Sequence, residues 1–159
     1  MDKRGYRKAV RVIITDGHHI LLGRKIINGK FVCYEFPGGG VEEGDSLEET
    51  VIKECLEEVG ILVTEPTSLN MAVRYEIDYP NPERAKLYRG GEDNWFTAKK
   101  AKRDKSLHGV EGDLLPFEWV TIEAAINKIK NGPESIYNGP RIEELTKVAL
   151  MNGLKSTRW

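Results

Sequence analysis

Residues 38–61 read GGGVEEGDSLEETVIKECLEEVGI and carry the densest chemistry in the chain. Glu54, Glu57 and Glu58 crowd three carboxylates into little more than one helical turn. At 100° per residue, with Glu54 at 0°, Glu58 falls at about 40° and Glu57 at about −60°. Val51, Ile52, Cys55, Leu56 and Val59 fall on the adjoining arc, between about 60° and 200°. The helix therefore offers an apolar face for a core and an acidic stripe beside it. Two unit charges 4 Å apart repel by about 4 kcal/mol at an effective dielectric of 20. A hard divalent cation removes that cost, and oxygen-only ligands favour magnesium or manganese over zinc or copper. Magnesium keeps several waters and commonly binds through few carboxylates plus substrate phosphates. The glycine turn ahead of the helix can add a backbone carbonyl. Together these features suit metal-assisted attack of water on a phosphoanhydride. An acidic stripe is also the ordinary form of a solvated helix face, and spacing alone does not separate the two.

The flanking elements must position this segment. Tyr6 to Thr15 is rich in β-branched residues and reads as a strand. Asp16-Gly17 marks a turn, His19 to Ile26 a second strand, Asn28-Gly29 another turn, and Phe31 to Tyr34 a third strand. The helix is expected over Asp45 to Val59, with Ser46 and Glu49 as a capping box and Gly60 as its stop. Ile61 to Val63 and Thr67 to Tyr79 look extended, and Pro80-Asn81-Pro82 reads as a loop. Leu87 to Arg89, Gly90-Gly91 and Trp95 to Ala98 read as a hairpin. Leu115 to Val120 reads as a strand, and Thr121 caps a helix running to Lys130. Pro140 to Met151 reads as a last helix. This order predicts an α+β fold, helices packed on a mixed sheet.

The 159 residues suit one domain spanning 1–159. The 24 basic and 25 acidic residues nearly cancel, so no global electrostatic grip on nucleic acid is indicated. No apolar run is long enough for a membrane span, and the first residues lack the apolar core of a signal peptide. Cys33 and Cys55 are too few for a disulfide framework, and free thiols in a cytoplasmic setting are expected.

Gly39 through Ile61 resembles the box of the Nudix hydrolase family. The box is Gly, five residues, Glu, seven residues, Arg-Glu, an apolar residue, any residue, Glu-Glu, any residue, Gly, an apolar residue. Gly39, Glu54, Cys55, Glu57, Glu58, Gly60 and Ile61 stand in register. Asp45 stands in place of the first Glu and Lys53 in place of the Arg. The upstream EFPGG and downstream FEWV also look like family features.

The resemblance implies an α/β/α sandwich with a mixed sheet and a pyrophosphohydrolase needing Mg2+ or Mn2+. It implies metal ligands Glu54, Glu57, Glu58, the carbonyl of Gly38 and a downstream acid, here Glu111 ahead of Asp113. Glu54 or Glu57 would orient or deprotonate water. Asp45 and Lys53 retain the charges of the family's supporting pair, although lysine cannot reproduce a bidentate fork.

The implied substrate is a nucleoside diphosphate linked to another group, such as a nucleoside triphosphate. An RNA 5′ end is the one nucleic-acid partner left open, and a homodimer is allowed. Arg24, Arg74 and Tyr79 are the leading substrate contacts. Arg11 and Arg89 are further candidates for phosphate, and Tyr34, Tyr75 and Trp95 for base stacking. Lys99 to Lys105 is a basic run that could track phosphates, and His108 is a lesser acid-base candidate. The alternative is a nucleotide sensor on the same fold that has lost catalysis. An isomerase on this fold would need a cysteine and glutamate pair in other loops, and the sequence shows none.

Overall fold

In a computed structural model, residues 1–102 and 117–133 are described. Strand β1, Gly5–Thr15, is the spine. Asp16 Oδ1 accepts the backbone N–H groups of His18 and His19, tightening the turn into β2, Ile20–Ile27. Asn28 and Gly29 both take positive φ, 52° and 74°, as a tight hairpin turn requires. They lead into β3, Lys30–Glu35. β4, Gly38–Gly40, folds back on β1 in antiparallel pairing.

Helix α1 spans Leu47–Glu54 and runs on into a π-helical turn, Cys55–Val59, closed by Gly60 at φ 69°. The capping box of Ser46 and Glu49 forms as its spacing predicts, and α1 begins two residues later than Asp45. β5 is Val63–Glu76 and β6 is Tyr88–Lys100, joined through α2, Pro82–Leu87. β7, Phe117–Val120, pairs with β2 and precedes α3, Ile122–Asn131, capped by Thr121 as expected.

The strand order is β3-β2-β1-β6-β5, with β4 on β1 and β7 on β2. β1 and β6 run parallel and the other pairs antiparallel, so the sheet is mixed. Alternation along β1 sends Val10, Val12 and Ile14 to one face, against Val51, Cys55 and Val59 of the helix. Ile13 goes to the other, with Ile122, Ala125 and Ile129 of α3. Helices thus cover both faces, as the expected sandwich requires. Among the described residues no helix is long and apolar enough to cross a membrane.

Three expectations are corrected. Gly90-Gly91 is not a hairpin turn but lies inside β6. A Cβ on Gly90 would fall 1.8 Å from the Tyr75 carbonyl oxygen, and one on Gly91 would meet the Tyr75 ring. Close strand approach, rather than a turn, is what demands glycine there. The loop at Pro80-Asn81-Pro82 is shorter than expected, since Pro80 and Asn81 lie outside any helix or strand but Pro82 already opens α2. Asn81 accepts the Arg84 backbone N–H, and Pro82 sits in the first turn where its missing N–H costs nothing. Ile52 and Leu56 are exposed, so the buried stripe is narrower than the apolar arc. The expected strand start at Leu115 and the helix Pro140 to Met151 lie outside the described residues.

Candidate active site

The site forms where the helix crosses the glycine strand. A Cβ on Gly39 would lie 2.5 Å from the Glu54 carboxyl carbon, so the side chain rests directly on bare backbone. The Gly38 backbone N–H donates to Glu58 Oε2 at 3.2 Å. The glycines thus seat two of the three box carboxylates. Glu57 is exposed and lies on the outer rim. The π turn widens the helix in the segment that carries Glu57 and Glu58, so the 100° spacing does not hold through it.

Electrostatics follow from this seating. Burial pushes the Glu58 carboxyl up to about 7. The Gly38 N–H and the Arg11 charge pull the other way, while Glu35 and Glu54 add to the rise. Glu54 is also raised, first by burial and then by Glu57, against Lys53 and Arg11. Oxygen donors crowded enough to resist ionisation are the chemistry a hard cation relieves. Glu54, Glu57, Glu58 and the Gly38 carbonyl fit such an ion by type, and the Gly39 cradle keeps Glu54 in reach of the backbone. Among the described residues, no three ligating side chains are already gathered round one point.

The substituted pair survives in altered form. Lys53 Nζ lies 3.9 Å from Asp45 Oδ2 but 3.0 Å from Glu42 Oε2. The shorter aspartate leaves the lysine to a glutamate on the same loop. The Asp45 backbone N–H donates to the Glu42 carbonyl and Gly44 turns at φ 90°, so both acids belong to one tight loop that faces Lys53 on the last turn of α1.

The other candidates scatter. Arg24 is exposed on β2, opposite Tyr34. Arg74 pairs with Glu92 at 3.0 Å and lies over the Tyr6 ring, 5.0 Å from its centroid. Arg89 reaches the same ring at 5.4 Å and holds Glu76 at 2.6 Å. Tyr79 is half-buried, with Arg84 over its ring. Trp95 is buried edge-on against Phe36, so it has no face free for a base. Tyr34 packs edge-to-face on Phe31, and a Cβ on Gly132 would meet its ring. Lys99 pairs with Glu65 at 3.4 Å. Glu111, Asp113, His108, Arg103 and Lys105 lie outside the described residues. Cys55 is fully buried and its thiol is pushed up to about 12, which suits core packing and not nucleophilic chemistry.

Sequence reasoning ranked Arg11 below Arg24 and passed over Asp93. Arg11 Nε donates to Asp93 Oδ2 at 3.3 Å, and Arg11 Nη1 donates to the Phe36 carbonyl at 3.3 Å. Tyr75 Oη donates to Asp93 Oδ1 at 3.2 Å. The available signal was a charged residue breaking the apolar run of β1, matched by an aspartate on β6.

A cavity of about 440 Å³ adjoins the loop before α1, lined by Tyr6, Arg7, Lys8, Val41, Glu42, Glu43 and Tyr88.

A model of the NUDIX domain matches residues 5–139. The chain belongs to the Nudix family. It is 25% identical over 145 residues to an RNA pyrophosphohydrolase of Teredinibacter turnerae, covering 86% of this chain and 84% of that one. It is 29% identical over 126 residues to an RNA pyrophosphohydrolase of Wolbachia pipientis, covering 74% and 75%. A solved MutT structure, from Aliivibrio salmonicida or Vibrio cholerae, is 25% identical with a TM-score of 0.58, covering 89% and 96%. The class expected from the sequence, a Nudix pyrophosphohydrolase, is the class these curated relatives carry, and Nudix hydrolases generally use a divalent metal.

Proposed function

We propose that this Nudix pyrophosphohydrolase uses Mg2+ to hydrolyse a phosphoanhydride in a nucleoside diphosphate linked to another group. The supporting observation is the seating of Glu54 and Glu58 on the glycine strand, with Glu57 beside them on the same helix. Glu54, Glu57, Glu58 and the Gly38 carbonyl would hold the metal, with Glu111 as the downstream acid. The bound ion would neutralise the diphosphate and lower the pKa of water. Glu54 or Glu57 would orient the attacking water and take its proton. Gly39 leaves the Glu54 carboxylate room against the backbone.

The nucleoside end is assigned to the cavity beside Glu42. Tyr6, which already carries Arg74 and Arg89 over its ring, and Tyr88 line that cavity, and Arg7 and Lys8 offer cations for phosphate. Arg74 stands behind Tyr6, and Tyr79 is near enough to feel the charge of Arg7. Arg24 is a separate substrate contact on β2. Among substrates, a nucleoside triphosphate and the triphosphorylated 5′ end of an RNA present the same group. The names of the relatives favour the RNA end as second reading.

Product release is measured from a panel of canonical and oxidised triphosphates, ADP-ribose, nucleotide sugars, dinucleoside polyphosphates and 5′-triphosphorylated RNA. Wild type is compared with Glu57→Gln and Glu58→Gln, with Mg2+ and with Mn2+. Cleavage by wild type and its loss in both variants is expected. Nucleotide binding without cleavage under either metal would turn the reading toward a sensor.

A further inference from the structure

We propose that Arg11 is the side chain that grips a substrate phosphate, and that Asp93 and Tyr75 are its positioning residues. The proposal rests on the pyrophosphohydrolase reading above and assigns its phosphate contact.

Arg11 stands in β1 where alternation calls for an apolar residue, between Val10 and Val12, both fully buried. A guanidinium in such a place needs a counter-charge, and Asp93, itself only 3% exposed, supplies it. The pairing is incomplete in an informative way. A carboxylate can take an arginine fork with both oxygens. Here Asp93 gives Oδ2 to Arg11 Nε and gives Oδ1 to the Tyr75 hydroxyl. The Phe36 carbonyl takes one N–H of Nη1. Of the five N–H donors, the two on Nη2 and one on Nη1 have no partner among the described residues.

The guanidinium is therefore held at two points and left with an open edge. The Arg11 side chain keeps 22% of its surface exposed. Its Cδ lies 3.1 Å from where a Gly38 Cβ would be, and Gly38 is the residue whose N–H holds Glu58. The open edge belongs to the neighbourhood where the diphosphate must meet the box carboxylates. A planar fork with free parallel donors matches a phosphate's oxygens. Arg74 and Arg89, by contrast, already hold Glu92 and Glu76.

The test is equilibrium binding of inorganic pyrophosphate in the presence of Mg2+ by the full chain. Arg11→Ala is expected to weaken it by about 10- to 100-fold, the range for a charge-assisted contact. Millimolar guanidinium should restore part of the loss in Arg11→Ala and nothing in wild type. Arg11→Lys should remain several-fold weak. Tyr75→Phe should lose about threefold in pyrophosphate affinity while the protein stays folded. If Arg11→Ala does not fold because Asp93 is left buried and unpaired, Arg11→Met/Asp93→Leu replaces the pair with apolar volume. Pyrophosphate binding within twofold of wild type in either folded variant, or absence of guanidinium rescue, overturns the proposal. Binding that depends on Arg11 in a protein that cleaves nothing in the nucleotide panel would leave this proposal standing and sink the catalytic one. Cleavage indifferent to Arg11 would do the reverse.

Discussion

Burial pushes the Glu58 carboxyl from its ordinary value of 4.5 up to about 7, although its oxygen accepts a backbone N–H. Between those values the folded protein binds more protons than the unfolded chain. Without metal, this group's contribution to stability is fully present below about 4.5 and is lost as pH rises through about 7. Thermal melts of metal-free protein should show that fall, and Glu58→Gln should flatten it. Mg2+ should stabilise the wild type more at the alkaline end, because the ion takes the place of the proton. An equally steep fall in Glu58→Gln would remove Glu58 as the cause. Cys55 makes a simpler case. With its thiol pushed up to about 12 and both cysteines buried, iodoacetamide near neutral pH should label neither until the protein is unfolded. The box carboxylates were legible as residues because their types and spacing recur in a known pattern. Arg11 was legible only as one of several phosphate candidates, because what sets it apart depends on Asp93, 82 positions away in sequence.

At the scale of elements, the glycine strand and the helix act as one device. β4 spans only three residues, yet it supplies both the Gly38 N–H and the Gly39 cradle. Gly39→Ala would put a methyl group where the Glu54 carboxylate now lies. The variant should fold, because Gly39 has an ordinary negative φ and its strand pairing uses backbone alone. Its kcat should fall by at least about tenfold if only 1.4 kcal/mol of alignment is lost. Steady-state kinetics beside a melting curve would separate the two effects, and an unchanged kcat would show that Glu54 does not need this seat. Capping, hairpin turns and the Thr121 helix were readable because they follow local rules. The π turn was not. The 100° spacing belongs to a helix of constant pitch, and nothing in CLEEV announces the widened turn.

Across the whole molecule, the misread segment was β6. Two adjacent glycines ordinarily signal a bend, and here they signal crowding against Tyr75. Gly90→Ala forces a Cβ onto the β5 backbone, which cannot move as a side-chain tip could. A loss of about 1–3 kcal/mol is expected, typical of overpacking, and denaturant melts would measure it. A neutral result would mean that β5 can shift outward at the sheet edge. The two-faced architecture was legible from the order of elements and the family resemblance, and β1 fits it, with Val10, Val12 and Ile14 on one face and Ile13 on the other. Which strand would lie beside it was hidden, since parallel partners leave no mark of their own in a sequence.

That parallel pairing also sets an order of events. β1 begins at Gly5 and its long partner ends at Lys100, with register kept from Tyr6 opposite Gly90 to Thr15 opposite Lys99. The centre of the sheet therefore cannot close until most of the described chain has left the ribosome. Until then Val12, Ile13 and Ile14 have no neighbour on that side, and the growing chain carries an open apolar strand edge. A non-local first pairing of this kind slows folding and lengthens exposure to aggregation. Among the described strands, the one that organises the site precedes all the others, and its edge toward β6 stays open until β6 follows.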